Sequence, residues 1–194
     1  EMPEEPKKTI IALLPGSRKQ ELKHNLGVML TLIEKMPQYE FVIAGAPSLS
    51  PKDYQKYIKG YNVKLKFNQT QKILREATVA VVTSGTATLE AALYDTPEVV
   101  CYRGSLPSML IGWIVIRVQF ISLVNLIMGK EVVKELIQYK YTPETLHREV
   151  SQLLPHQEKR EIMLSQFQEL RERLGGAGTS NRIAKYIVDF IGES

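Results

Sequence analysis

The sequence predicts an α/β fold, a Rossmann-like parallel sheet flanked by helices, and two observations carry that expectation. Strand-length runs of apolar and β-branched residues alternate with helix-length segments through the first two thirds of the 194 residues. Most of these runs are nearly continuous in apolar character, as strands covered by helices on both faces should be. They are TIIALL (9–14), EFVIAG (40–45), NVKLKF (62–67), TVAVVT (78–83) and EVVCY (98–102). Helices are expected between them at 18–36, 51–60, 70–77 and 85–94, because parallel neighbours need crossover connections. Four further helices are expected at 131–138, 143–154, 156–174 and 180–191. In the third, Leu164, Phe167, Leu170 and Leu174 recur at helical spacing and form an apolar seam.

Residues 1–8 are acidic and proline-rich and read as a linker or as a boundary within a longer protein. Residues 9–154 read as one domain, and 155–194 as helices packing on it, on a missing domain or on a partner. Gly175, Gly176 and Gly178 follow a helix, so the cluster is expected to end that helix and let Thr179 or Ser180 cap the next. A phosphate-cradling loop is the rival reading. Asn68-Gln69-Thr70 matches a glycosylation sequon, which carries no weight in a chain without a secretory signal. The stretch 109–128 has membrane-spanning length, but Arg117, Gln119, Ser122 and Asn125 interrupt it. An arginine near the bilayer centre costs about 2.5–3.5 kcal/mol. A helix ending near Val118, then a short buried strand and a turn, is expected instead. Over 106–118 two readings stay open, a core helix and a peripheral lipid contact flanked by Arg103 and Arg117.

Composition excludes several functions. Hydrophobic residues at 44% and charged ones at 24% exclude disorder and fibrous folds. A single cysteine excludes a disulfide framework, and Cys101 in its apolar run reads as a buried, inert thiol. His24, His147 and His156 show no metal-ligand spacing. The net charge of +4 suits an anionic ligand or an acidic membrane surface and falls short of a nucleic-acid interface.

In an open parallel sheet, ligands bind beyond the carboxyl ends of the strands, which singles out two junctions. In LLPGSRKQE, Gly16 permits close backbone approach, Ser17 offers a hydroxyl and Arg18 a guanidinium that grips phosphate bidentately. A tight turn with Ser17 as a cap and Arg18 solvated explains the same residues. In VVTSGTATLE, Ser84, Gly85 and Thr86 open a helix whose free amides can cradle a diphosphate, and Glu90 can accept from a ribose diol. A capped helix with Glu90 favourably placed on its dipole is the alternative. There is no GxGxxG, which argues against a dinucleotide cofactor.

ALLPGSRKQE, TSGTATLE, PEVVCYR and ISLVNLIMGKEVVKELIQ occur in the order and approximate spacing of bacterial lipid-A-disaccharide synthase. The chain resembles the C-terminal, nucleotide-sugar-binding half of that family, one half of a GT-B-type glycosyltransferase. The similarity covers residues 9–154 and extends more loosely into the last helices. Where the family usually has Leu-Pro-Asn, this chain has Leu123-Val124-Asn125.

The resemblance implies an inverting transfer without metal or other cofactor. UDP-2,3-diacylglucosamine gives its sugar to 2,3-diacylglucosamine 1-phosphate, releasing UDP and the lipid A disaccharide precursor. It implies that Gly16, Ser17 and Arg18 serve the diphosphate, and that Ser84, Gly85, Thr86 and Glu90 serve phosphate and ribose. Asn125, Glu135 and Gln138 are then expected to line the donor side of the cleft. The general base and acceptor site are expected in an N-terminal domain outside this chain, which should bind but not turn over alone. A cytoplasmic location at the inner face of the membrane, with a peripheral contact to anionic lipid, follows from the acylated substrates; a homodimer is left open. Two rival functions are a UDP-sugar epimerase half and a non-catalytic nucleotide-binding domain. Against the epimerase, Ala91 follows Glu90 where a second acid is usual.

Overall fold

The apolar runs pair side by side as parallel strands. The computed structural model describes residues 9–104 and 119–175. In chain order its elements are β1 (Ile10–Leu14), α1 (Lys19–Lys35), β2 (Glu40–Gly45), α2 (Pro51–Ile58), β3 (Lys64–Phe67), α3 (Thr70–Glu76), β4 (Val79–Thr83), α4 (Thr86–Leu93) and β5 (Glu98–Tyr102). They continue with α5 (Leu123–Met128), β6 (Lys134–Ile137), a 3-10 turn (Gln138–Lys140), α6 (Pro143–Ser151) and α7 (Glu158–Leu174). The strands form one sheet in the order β3-β2-β1-β4-β5-β6, every neighbouring pair parallel. This is the doubly wound Rossmann order.

Side chains two apart on each strand share a face, which sorts the core into two layers. Ile11, Leu13, Phe41, Ile43, Val79 and Val81 pack in one cluster with Leu22, Leu26, Met29 and Leu30 of α1. Ala12, Leu14, Val42, Ala44, Ala80 and Val82 turn the other way, onto Ile73 and Leu74 of α3. α1 contacts α2 and α6, while α4 contacts α3, α5 and α7. The α7 seam is Met163, Phe167, Leu170 and Leu174, so Met163 replaces the expected Leu164 as the fully buried first contact.

Two expectations fail between 119 and 138. The segment expected as a short buried strand is the helix α5, capped by Ser122 Oγ, which accepts from the Asn125 amide, and closed by Gly129 at φ 68°. The segment 131–138 is not a helix. Asn125 Oδ1 accepts from the amides of Val132 and Val133 (2.8 and 2.9 Å), which fixes them in a turn. Residues 134–137 then add to the sheet edge, with Val99 opposite Lys134 and Tyr102 opposite Ile137. The helical spacing of Val132, Val133, Leu136 and Ile137 is thus overridden by tertiary pairing. Among the described residues no helix is long and apolar enough to cross a membrane. The expected linker 1–8, the apolar segment 106–118, Gly176, Gly178 and the helix 180–191 lie outside the described residues.

Candidate functional site

The sheet order reverses between β1 and β4, which lie side by side with Leu14 opposite Val82. β1 leads into α1 on one face, and β4 into α4 on the other. A crevice opens where such connections diverge. Both sequence-predicted turns, 15–18 and 84–86, therefore stand on the same sheet edge.

The first turn is closed from within. Gly16 has φ +103°, and a Cβ there would sit 2.3 Å from Glu21 Oε2, so only glycine fits. Glu21 Oε2 accepts from the backbone amides of Ser17 (2.8 Å) and Arg18 (3.2 Å). Those amides are no longer open to an anion, and the carboxylate adds a negative charge beside them. Ser48 Oγ donates to the Ser17 carbonyl (2.6 Å), tying the turn to the β2–α2 loop. The Arg18 side chain is exposed, and its guanidinium has no hydrogen bond or ion pair among the described residues. Lys19 is paired with Asp53 (2.9 Å). The Ser50 amide and Lys19 hold the Asp53 carboxyl well below the usual carboxylate range.

The second turn is open. Gly85 caps α4 with φ 157° and ψ −167°, a conformation available essentially to glycine alone. Its carbonyl accepts from the amide and the hydroxyl of Thr88. The amides of Gly85, Thr86 and Ala87 have no acceptor among the described residues, and the first turn of α4 holds no acid. Ser84 is positioned from outside: its amide donates to the Cys101 carbonyl and its Oγ to the Ile121 carbonyl (2.8 Å). Beneath it, the buried Thr83 Oγ1 has no hydrogen-bond partner among the described residues.

Asn125 and Glu135 form a knot behind this turn. Asn125 is fully buried, and its amide uses two acceptances, from Val132 and Val133, and two donations, to the Val133 carbonyl and Glu135 Oε1. The Glu135 carboxylate also accepts from the amides of Ile121 and Ser122 (2.9 Å each) and from Ser122 Oγ (2.7 Å). Ile121 is the residue that holds Ser84. Val124 lies buried in the first turn of α5, a position that also accommodates proline. Gln138 sits just beyond β6 at φ 52°, and its Nε2 donates to the Gly104 carbonyl (3.3 Å).

Glu90 is half-buried and lines a cavity of about 520 Å³ with residues 68–72. Sequence reasoning missed that wall. Its signal was Asn68, left-handed at φ 56°, directly beyond the carboxyl end of β3. A second missed feature joins three remote segments. Arg103 donates its amide to Asn25 Oδ1 (3.1 Å) and its guanidinium to the Tyr141 carbonyl, while Tyr141 Oη donates to the Asn25 carbonyl (3.0 Å). Burial pushes the Cys101 thiol far up, which leaves it protonated and inert.

The sequence model of the family described as Lipid-A-disaccharide synthetase matches residues 3–188. The chain is 37% identical over 198 residues to a lipid-A-disaccharide synthase of Gloeothece citriformis, covering 96% of this chain and 50% of that protein. It spans about half the length of the curated relatives it matches. Solved structures share the fold. The calicheamicin glycosyltransferase CalG4 aligns with TM-score 0.57 and 15% identity over 96% of this chain and 44% of that one. A putative UDP-N-acetylglucosamine 2-epimerase from Listeria monocytogenes aligns with TM-score 0.57 and 17% identity over 97% and 46%. With a matching sequence model over nearly its whole length, the chain belongs to the lipid-A-disaccharide synthetase family.

Proposed function

We propose that this chain is the donor-binding half of a lipid-A-disaccharide synthase, an inverting glycosyltransferase. One observation carries the reading: among the described residues three amides at the acid-free N-terminus of α4 have no acceptor, and the turn that carries Arg18, whose guanidinium likewise has no partner among them, follows the neighbouring strand on the same sheet edge. Backbone amides and the helix dipole favour a diphosphate there, and Arg18 adds a charged fork from the other side. The Thr86 hydroxyl completes the set, and Ser84, whose own hydroxyl donates to the Ile121 carbonyl, fixes the turn. Ser17 contributes its hydroxyl and Gly16 the shape of its turn, since Glu21 already holds the amides. Glu90 accepts from the ribose, and the cavity running from it to Asn68–Lys72 takes the base. Asn125 and Glu135 act through Ile121 by holding Ser84, and Gln138 borders the sugar side.

The chemistry follows from that placement. The acceptor 6-hydroxyl oxygen attacks the anomeric carbon of UDP-2,3-diacylglucosamine from the face opposite UDP. A general base outside this chain takes the hydroxyl proton as the anomeric C–O bond breaks. Its electron pair leaves on the β-phosphate, where the α4 amides and Arg18 stabilise the growing charge. UDP and the β-1′,6-linked disaccharide result. The acylated substrates put the full enzyme at the inner face of the cytoplasmic membrane as a peripheral protein. Calorimetric titration tests the donor half: UDP and UDP-N-acetylglucosamine should bind and NAD should not. Absence of UDP binding, or equal binding of NAD, contradicts the proposal.

A further inference from the structure

The formal charge of the chain is +4, yet residues 51–76 hold six lysines and Arg75 against only Asp53 and Glu76, a local +5. The remaining chain carries a slight excess of acid. This charge lies on the edge strand β3 and on the helices before and after it, α2 on the sheet face shared with α1 and α3 on the other. Lys52, Lys56 and Lys59 follow each other at spacings of four and three, an exposed stripe along α2 and its C-cap. The opposite side of α2 buries Tyr54 edge-on against Phe67, with ring centroids 5.7 Å apart. β3 is one of the two edge strands and alternates Lys64 and Lys66 with Leu65 and Phe67. Lys72 and Arg75 are exposed on α3.

Little of this charge is neutralised. Lys64 meets Glu40 (2.7 Å), whereas Asp53 is taken by Lys19, from outside the segment. Lys52, Lys56, Lys59, Lys66 and Lys72 have no carboxylate partner among the described residues. Lysine on an edge strand blocks strand-to-strand aggregation, which accounts for Lys64 and Lys66. It does not account for a single-sign stripe on a helix. An ordinary solvated helix interleaves signs, as α7 does with its Glu169–Arg173 pair. Half-buried Tyr57 and Tyr61 lie among the lysines, rings suited to a headgroup layer.

We propose that this basic edge of the sheet is the electrostatic docking surface for an anionic lipid bilayer. The proposal rests on the donor reading above, because an acylated sugar nucleotide must be drawn from a membrane. The cavity beside Glu90 starts at Asn68, directly after β3, and Lys72 is on its wall, so docking here keeps the nucleotide site next to the headgroups. Lysine point charges suit a mobile layer of phosphates, which asks for no fixed geometry.

The test is sedimentation of the chain with phosphatidylcholine vesicles, with and without one-third phosphatidylglycerol. Binding should require the anionic lipid and vanish at high salt. Each lysine near such a surface contributes about five-fold in partitioning (about 1 kcal/mol). K52Q/K56Q/K59Q should therefore partition about a hundred-fold more weakly. K23Q/K35Q/K130Q, an equal loss of charge elsewhere, should keep most of the binding. No anionic-vesicle binding by the unmodified chain, equal losses in the two triples, or preference for an RNA oligonucleotide over vesicles would each overturn the proposal. UDP calorimetry on the same folded samples separates the two readings. Retained UDP affinity with vesicle binding lost only in the first triple supports the surface. Vesicle failure with intact UDP binding removes this surface alone, and lost UDP binding with lysine-dependent vesicle binding removes the donor reading alone.

Discussion

The first turn of α1 contains Glu21, whose carboxylate folds back onto the amides of Ser17 and Arg18. The first turn of α4 contains no acid, and its leading amides have no acceptor among the described residues. Both turns follow a strand at the same crevice, and both contain the Ser and Gly that suggest a phosphate loop. One helix N-terminus is self-capped and contributes stability; the other keeps its leading amides open, as the proposed diphosphate site requires. The difference lies in one residue at the third helical position, Glu21 in α1 and Thr88 in α4. A glycine and a hydroxyl near a helix start are thus insufficient to mark an anion site. What distinguishes the proposed site is that its first turn holds no internal anion.

The largest expected effect comes from the glycines. Gly16→Ala should lower stability by about 3 kcal/mol, since it adds left-handed strain and drives Cβ into the Glu21 cap. Gly85→Ala should cost only about 1–2 kcal/mol, because the nearest atom to its Cβ is the Thr83 carbonyl at 4.0 Å. Urea melts of the two variants check the ranking, and a Gly85 variant less stable than the Gly16 variant would break the comparison. Next, Arg18→Ala should weaken UDP binding by about 1.5–3 kcal/mol and leave uridine nearly unaffected. Equal losses for both ligands would give Arg18 a folding role. Arg18→Lys should restore only part, since an ammonium lacks the planar fork.

Smaller still, Glu21→Gln should cost about 1 kcal/mol of stability while UDP affinity stays level or rises, as a negative charge leaves the crevice. A fall in UDP affinity would mean that the α1 cap orders the ligand site. The smallest effect on binding belongs to Glu98, whose buried carboxyl at the start of β5, at the opposite edge of the sheet, has no hydrogen-bond partner among the described residues. Burial raises its carboxyl well above the ordinary glutamate value, so the folded chain holds this proton to higher pH than the unfolded chain does. As pH rises past that ordinary value the unfolded chain loses the proton, and stability falls until the folded pKa is reached. Glu98→Gln should flatten that loss and leave UDP titrations unchanged.

The five strand runs and the first four helices were legible because each is written in local periodicity. β6 was not: KELI is a strand only because β5 has a free edge and Asn125 holds Val132 and Val133 in a turn. The two turns of the crevice were legible as positions, since glycine and serine after a strand are local signals. Their opposite electrostatics were not, because Glu21 is decided by where a carboxylate folds back. Nor was the Asn68–Lys72 wall of the Glu90 cavity, which depends on α3 and α4 lying side by side. Asn125 and Glu135 were singled out by resemblance as cleft residues, and only side-chain geometry reveals that all four bonds of the Asn125 amide are satisfied inside the protein.

In the proposed site α4, and not α1, presents open amides to a diphosphate. Nitrogen-15 amide spectra of the chain titrated with UDP, and with uridine as the control, test it directly. The amides of Gly85, Thr86 and Ala87 should shift with UDP and remain in place with uridine, while those of Ser17 and Arg18 move little. Equal or larger shifts at Ser17 and Arg18, with Gly85 to Ala87 unmoved, would contradict the account.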